Sequence, residues 1–223
     1  MSDLTLVIGN KNYSSWSMRP WVLLKQLGIP FDEVKLRFNS DEWEKNIARW
    51  SPSGLVPVLW RGDLSVWDSL AIMEAVNEWF PDRGVWPREP AARAFARCAA
   101  AEMHSGFRDL RGSMPMNIRA SHPGKGMNAG VQANIDRIVA LWTEARKRFG
   151  ADGPFLFGAF TACDAMYAPV VMRFKTYGVA LPAEAARYCD AMREAPGVRA
   201  WIAGALEEKE FVPEDEPYAA APG

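Results

Sequence analysis

The sequence predicts a small mixed α/β layer followed by an all-helical half. Three observations carry that expectation. Short β-rich runs alternate with helically spaced apolar residues as far as Phe80. A stretch with three prolines and one glycine follows at 81–90, and beyond Trp86 no strand pattern carries its own hairpin.

The elements follow in order. Leu4–Ile8 is a short β-rich run that reads as a buried strand. Over residues 17–27, Met18, Trp21, Val22, Leu24 and Leu27 fall at helical spacing, and Gly28 and Pro30 stop the helix, with Ser17 a candidate N-cap. Residues 31–38 alternate through Phe31, Val34, Leu36 and Phe38, a second strand. Asp41–Trp50 reads as a short helix closed by Ser-Pro-Ser-Gly. The apolar runs 56–60 and Leu64–Trp67, joined by Arg61-Gly62-Asp63, read as a β-hairpin. Residues 69–80 form an amphipathic helix through Leu70, Ile72, Met73, Val76 and Phe80, ended by Pro81. The order β-α-β-α-β-β-α is a parallel crossover followed by a hairpin and a helix, a layer resembling thioredoxin. The expected organisation is therefore an α/β domain at 1–82, a linker at 83–90 and a helical domain at 91–223.

In the second half a helix is expected over 91–118, with Pro115 ending or kinking it near Met114. A loop, Ser-His-Pro-Gly-Lys-Gly-Met-Asn, precedes a long helix at Ala129–Phe149. Further helices are expected at Ala162–Tyr177, Ala183–Glu194 and 198–209. Thr161 and Asp164 stand three apart at the start of the first of these, the spacing of a reciprocal capping box, and are assigned to folding rather than chemistry.

Composition narrows the function classes. With 223 residues the chain can bury a sizeable core. A formal net charge of −1 offers no electrostatic reason to expect nucleic acid or an anionic membrane as partner. No apolar stretch approaches the roughly 20 residues of a membrane span, and the N-terminal residues lack a signal-peptide pattern, so a cytoplasmic location is the default expectation. Three scattered cysteines and two histidines argue against a disulfide framework or a metal cluster. Ten tryptophans suit core and interface packing, with ring-lined ligand surface as the alternative.

Two motifs carry more. Between the first strand and the first helix the chain reads Tyr13-Ser14-Ser15-Trp16-Ser17-Met18-Arg19, with serine where a redox-active layer of this kind would place cysteines. Further on, Ser51-Pro52-Ser53-Gly54-Leu55-Val56-Pro57-Val58-Leu59 leads into the hairpin and then Trp67-Asp68-Ser69. Together, and on these elements, the motifs resemble the cytosolic glutathione transferase family over nearly the whole chain. The first loop is most similar to the zeta class, which includes maleylacetoacetate isomerases. The resemblance implies glutathione as co-substrate without a metal, a homodimer, and attack of the glutathione sulfur on a small, largely apolar electrophile. Glutathione-dependent cis–trans isomerisation and a non-catalytic binding module stand as alternatives.

It also implies roles. Ser14 or Ser15 would contact the sulfur: the zeta pattern favours Ser14, and the four-residue spacing before Arg19 favours Ser15. Tyr13 would have a supporting role. Leu55, Val56 and a cis-Pro57 would meet the cysteinyl backbone. Asp68 and Ser69 would hold the ammonium and carboxylate of the γ-glutamyl group. The first long helix of the second half faces the sulfur in this family, so Trp16, His104, Arg108 and Arg111 are candidates for the acceptor pocket. The arginines would receive an anionic substrate or pair on a solvated face, and His104 suits packing better than general-base work. Three departures from the zeta pattern matter: Trp16 replaces a cysteine, and Leu55 and Asp68 each replace a glutamine. The glutathione site survives these changes, and the isomerase activity stands only as the alternative named above.

The chemistry also has a direct physical basis. The start of a helix offers unpartnered N–H groups and roughly half a positive charge. A thiol with a pKa of about 8.5 needs about 1.4 kcal/mol per unit of depression. The dipole contributes about 0.3–1 kcal/mol and a hydrogen bond to the anion about 1.5–3 kcal/mol. A serine there activates a bound thiol rather than attacking by itself.

Overall fold

In the computed structural model, which describes residues 2–151 and 153–219, strand β1 (Leu4–Ile8) is central. It pairs in parallel with β2 (Asp32–Lys35), Thr5 opposite Asp32, and antiparallel with β3 (Val58–Arg61), Leu4 opposite Arg61. The hairpin partner β4 (Leu64–Trp67) completes the order β2-β1-β3-β4. The two-residue period of β1 divides the core. Leu4, Leu6 and Ile8 join the main core with residues of α1 (Ser15–Gln26) and α3 (Ser69–Trp79). Val7 faces the other way with Leu36 and Val58, partly covered by Trp43 and Ile47 of α2 (Asp41–Trp50).

The rest is helical: α4 (Pro90–Ser105), α5 (Arg108–Ser113), α6 (Ala129–Phe149), α7 (Ala162–Tyr177), α8 (Ala183–Glu194) and α9 (Pro196–Glu207). One contiguous core runs from β1 through α1 into α7 and α9. The α1–α9 approach depends on Gly197, where an added Cβ would lie 2.8 Å from the Val22 carbonyl. The expected fold class is thus observed.

Several boundaries differ from expectation for identifiable reasons. The helix expected over 91–118 stops at Ser105, because Gly106 is extended and Phe107 takes a positive φ of 56° with its ring buried. Only Arg108–Ser113 resumes the helix. Beyond it the chain turns away, and tertiary donors replace helical ones: Arg173 Nε donates to the Met114 carbonyl and Tyr177 Oη to that of Pro115. Helix α1 begins two residues before expectation, and its cap is Ser14 rather than Ser17. Strand pairing is confined to Asp32–Lys35, and β3 starts only after Pro57, whose nitrogen cannot donate to the ladder. The helix expected over 198–209 is shifted to Pro196–Glu207, with Pro196 at its first turn. The stretch at 81–90 is packed rather than free: Val85 and Trp86 are buried, and the Val85 carbonyl accepts from Ala162 N at 2.8 Å.

The loop after β1 is fastened by the far end of the chain. Glu208, its side chain buried, accepts from Lys11 N at 2.8 Å, Asn12 N at 3.0 Å and Lys35 Nζ at 3.0 Å. Glu208→Ala strands two backbone donors and is expected to cost about 2–3 kcal/mol. Urea unfolding checks this; a midpoint equal to that of the parent protein would contradict it.

Candidate functional site

Two cavities adjoin at the C-terminal end of β1 and the N-terminal end of β3 and share Trp16, Leu55 and Val56 in their walls. The smaller, about 480 Å³, is completed by Ser53, Pro57, Trp67, Asp68 and Ser69. The larger, about 680 Å³, includes Ser14, Ser15, Arg108 and Arg111, with apolar surface from Phe38, Trp43 and Met116. Residues from the two halves of the sequence thus meet at one place.

In the smaller cavity the Val56–Pro57 peptide is cis. The N–H and C=O of Val56 make no hydrogen bond among the described residues, which leaves a donor and an acceptor for an extended peptide-like ligand. Asp68 has φ of 71° and ψ of 133°, unusual for a residue with a Cβ, and backbone strain of about 1–3 kcal/mol is characteristic of binding sites. Its Oδ1 caps α3 by accepting from Leu70 N at 2.9 Å, and its Oδ2 lies 2.7 Å from His104 Nε2. Burial pushes this carboxyl up, but the hydrogen bonds from His104, Leu70 and Ala71 outweigh it and hold it below the usual range. Ser69 is fully buried at the first turn of α3, 3.4 Å from Arg19 Nη1. Arg19 itself is buried without a carboxylate partner among the described residues. Burial, then the charges of Arg173 and Arg111, pull its pKa down to about 9.

The serines differ in what their protons do. Ser14 Oγ accepts from Ser17 N and donates to Ser17 Oγ at 2.7 Å, so its proton is used within the cap. Ser17 Oγ also accepts from Gly9 N and faces inward, fully buried. Ser15 Oγ accepts from Arg173 Nη2 at 3.4 Å and donates to no group among the described residues. Its O–H is therefore available at the start of α1. Tyr13 lines the larger cavity, but its Oη lies 2.6 Å from Glu216 Oε1 and accepts from Arg119 Nη2 at 2.8 Å, which engages the hydroxyl with other groups.

Of the four residues expected around an acceptor, Trp16, Arg108 and Arg111 line the larger cavity; His104 does not, and reaches Asp68 instead. Trp16 is packed between guanidinium groups, Arg19 at 4.1 Å and Arg111 at 4.6 Å from the ring centre, with the His104 ring edge-on at 5.3 Å. Such cation–π contacts hold the indole as a partition between the cavities. Arg173 and Asp215 also line the larger cavity and were not expected. A signal for Arg173 does exist in the sequence: its neighbours one turn away in either direction, Pro169, Val170, Thr176 and Tyr177, are apolar or weakly polar, an unusual setting for an arginine.

Comparison with known proteins agrees with this architecture. Residues 13–79 match the family model of the glutathione S-transferase N-terminal domain, and residues 128–204 match that of the glutathione S-transferase C-terminal domain. The chain is 31% identical to glutathione S-transferase 1 of Dianthus caryophyllus over 46% of each chain. It is 30% identical to a probable maleylacetoacetate isomerase of Caenorhabditis elegans over 57% of this chain and 59% of that one. The chain thus spans about half the length of these curated relatives. Its fold is similar to that of a glutathione transferase homologue from Burkholderia with bound glutathione, at a TM-score of 0.69 and 21% identity, covering 92% of this chain and 99% of the other.

Proposed function

Since this chain belongs to the glutathione S-transferase family, we propose that it binds glutathione across the two cavities and activates its thiol for attack on a small electrophile. The observation that carries the reading is the position of the Ser15 hydroxyl, its proton uncommitted at the start of α1, beside the Asp68–Ser69 pocket. The γ-glutamyl carboxylate would meet the N-terminus of α3 at Ser69, with Arg19 behind it. The ammonium would meet Asp68, and the free Val56 N–H and C=O would pair with the cysteinyl backbone. That arrangement directs the sulfur towards α1. There the helix dipole and the Ser15 O–H together favour thiolate by one to two pKa units or more, which suffices near neutrality.

The γ-glutamyl end of glutathione bears a carboxylate and an ammonium and its cysteinyl residue an amide backbone, and the residues present offer a complement to each of these. Titration calorimetry should show saturable uptake, and the bound thiol should titrate at least about one unit below its free value. No uptake would overturn the reading. Similarity to the nematode isomerase supports a second reading, in which glutathione adds and leaves again. Product mass separates the two: a transferase retains the tripeptide in the adduct, an isomerase returns it.

A further inference from the structure

His104 of α4 meets Asp68, the cap of α3, across the boundary between the two halves of the chain, and the reading above leaves it without a role. His104 Nε2 lies 2.7 Å from Asp68 Oδ2. The two side chains keep 28% and 43% of their surface exposed, so a ligand at Asp68 can reach the pair from the smaller cavity.

Asp68 has little room for two cations. Its Oδ1 is taken up by the cap, accepting from Leu70 N at 2.9 Å and Ala71 N at 3.5 Å. An ammonium that meets Asp68 must therefore share Oδ2 with His104. Two donors on one carboxylate oxygen, each at an ordinary hydrogen-bond length, stand about 4–5 Å apart. A neutral imidazole donates its Nε2 proton and leaves the carboxylate its negative charge. An imidazolium neutralises that charge and repels the ammonium at short range.

The other groups around the imidazole do not share its behaviour. From α1, the Trp16 ring meets it edge-on at 5.3 Å and carries Arg19 at 4.1 Å. From α5, Arg111 Nη1 donates to the His104 carbonyl at 3.3 Å, and its guanidinium lies 4.6 Å from the same indole. Asp68 is the only acid in contact with His104 among the described residues. Despite its burial, hydrogen bonds from His104, Leu70 and Ala71 hold the Asp68 carboxyl below the usual range, so it stays ionised near neutrality. Guanidinium groups keep their charge there as well. Imidazole is the side chain that ordinarily changes charge between about pH 5 and 8.

We propose that His104 is a positioning residue that controls glutathione binding through its own proton. Neutral, it presents Asp68 Oδ2 to the γ-glutamyl ammonium; charged, it takes the ammonium's place. The inference rests on the glutathione reading above and adds a regulating proton to that site.

The probe is γ-glutamyl-2-aminobutyryl-glycine, glutathione with a methyl group where the thiol stands, so that no sulfur ionises. Its calorimetric affinity should rise about fivefold or more from about pH 5.5 to about pH 7, the low end of an ordinary coupling between two sites. By the same linkage, binding within that range should release protons, read as a heat that varies with the ionisation enthalpy of the buffer. The glutaryl analogue, which lacks only the ammonium, should show no such rise, and this comparison needs no variant. His104→Gln keeps a donor that does not titrate, so its affinity at the lower pH should approach that at the higher. Asp215, in the larger cavity and pushed up to about 6 by burial, also titrates in this window but is common to both ligands and to the variant. An affinity in the parent that is flat or falls as pH rises overturns the proposal. So does a rise shown equally by the glutaryl analogue, or one unchanged in folded His104→Gln. No uptake of the probe at any pH overturns it too, and if glutathione is not taken up either, the glutathione reading falls with it.

Discussion

Ser15→Ala is expected to lower kcat/KM with a neutral acceptor by about 10- to 100-fold, the loss of one hydrogen bond to a charged atom worth about 1.5–3 kcal/mol. The pKa of bound glutathione should rise by a comparable amount, moving the acid limb of the pH–rate profile up towards the pKa of the free thiol. Ser14→Ala should behave differently. Ser14 spends its proton on Ser17 and caps α1, so its removal is expected to cost about 1 kcal/mol of stability and to act on chemistry only through the frayed helix start. Ultraviolet absorbance of the bound thiolate against pH distinguishes the two. If Ser14→Ala abolished ionisation and Ser15→Ala left it intact, the assignment would be reversed.

The largest stability effect is expected at Asp164. This fully buried carboxylate accepts from Leu156 N at 3.0 Å, Thr161 N at 2.8 Å, Thr161 Oγ1 at 2.9 Å and Tyr188 Oη at 3.1 Å. It joins the start of α7 to α8 and to the turn before α7. Asp164→Ala leaves these donors without an acceptor, and a loss of at least about 3 kcal/mol follows at 1–3 kcal/mol per stranded group, less what relaxation recovers. Asp164→Asn should be little better, because its NH2 would face donors. Burial raises the carboxyl to about 6 against the hydrogen bonds that lower it. The folded pKa then lies above the unfolded value of about 3.9, so the native state holds the proton more tightly. This group's contribution is complete below about pH 4, declines as pH rises to about 6, and is level beyond. Asp215 carries the same sign, so Asp164→Asn should reduce the slope of stability between pH 4 and 6 without removing it. A slope equal to that of the parent protein would contradict the raised value.

Much of the architecture is legible in the residues. The β-rich run Leu4–Ile8 and the helical spacing in α1 and α3 are local properties, set by side-chain shape and by which side chains can reach one face. The Thr161–Asp164 pairing is equally local, and so is the turn at Arg61-Gly62-Asp63. The motifs at Val56-Pro57 and Asp68-Ser69 fall in the walls of the smaller cavity, and the one around Ser14 in those of the larger. Illegible was the break at Gly106–Phe107, which depends on Phe107 entering the core. The end of helix near Met114 was legible from Pro115, whereas the donors that take up the carbonyls there, Arg173 and Tyr177, are distant in the chain.

Residue pattern alone determined the order of strands and helices as far as α4 and the Thr161–Asp164 capping pair, because each depends on neighbours within a turn or two of the chain. Tertiary structure decided which hydroxyl keeps its proton and what surrounds it. Arg19, Arg111 and Arg173 come from α1, α5 and α7, and nothing in their sequence separations brings them to one indole and one serine. Burial and charge at that meeting point are sums over groups far apart in sequence, and only the folded chain performs the sum.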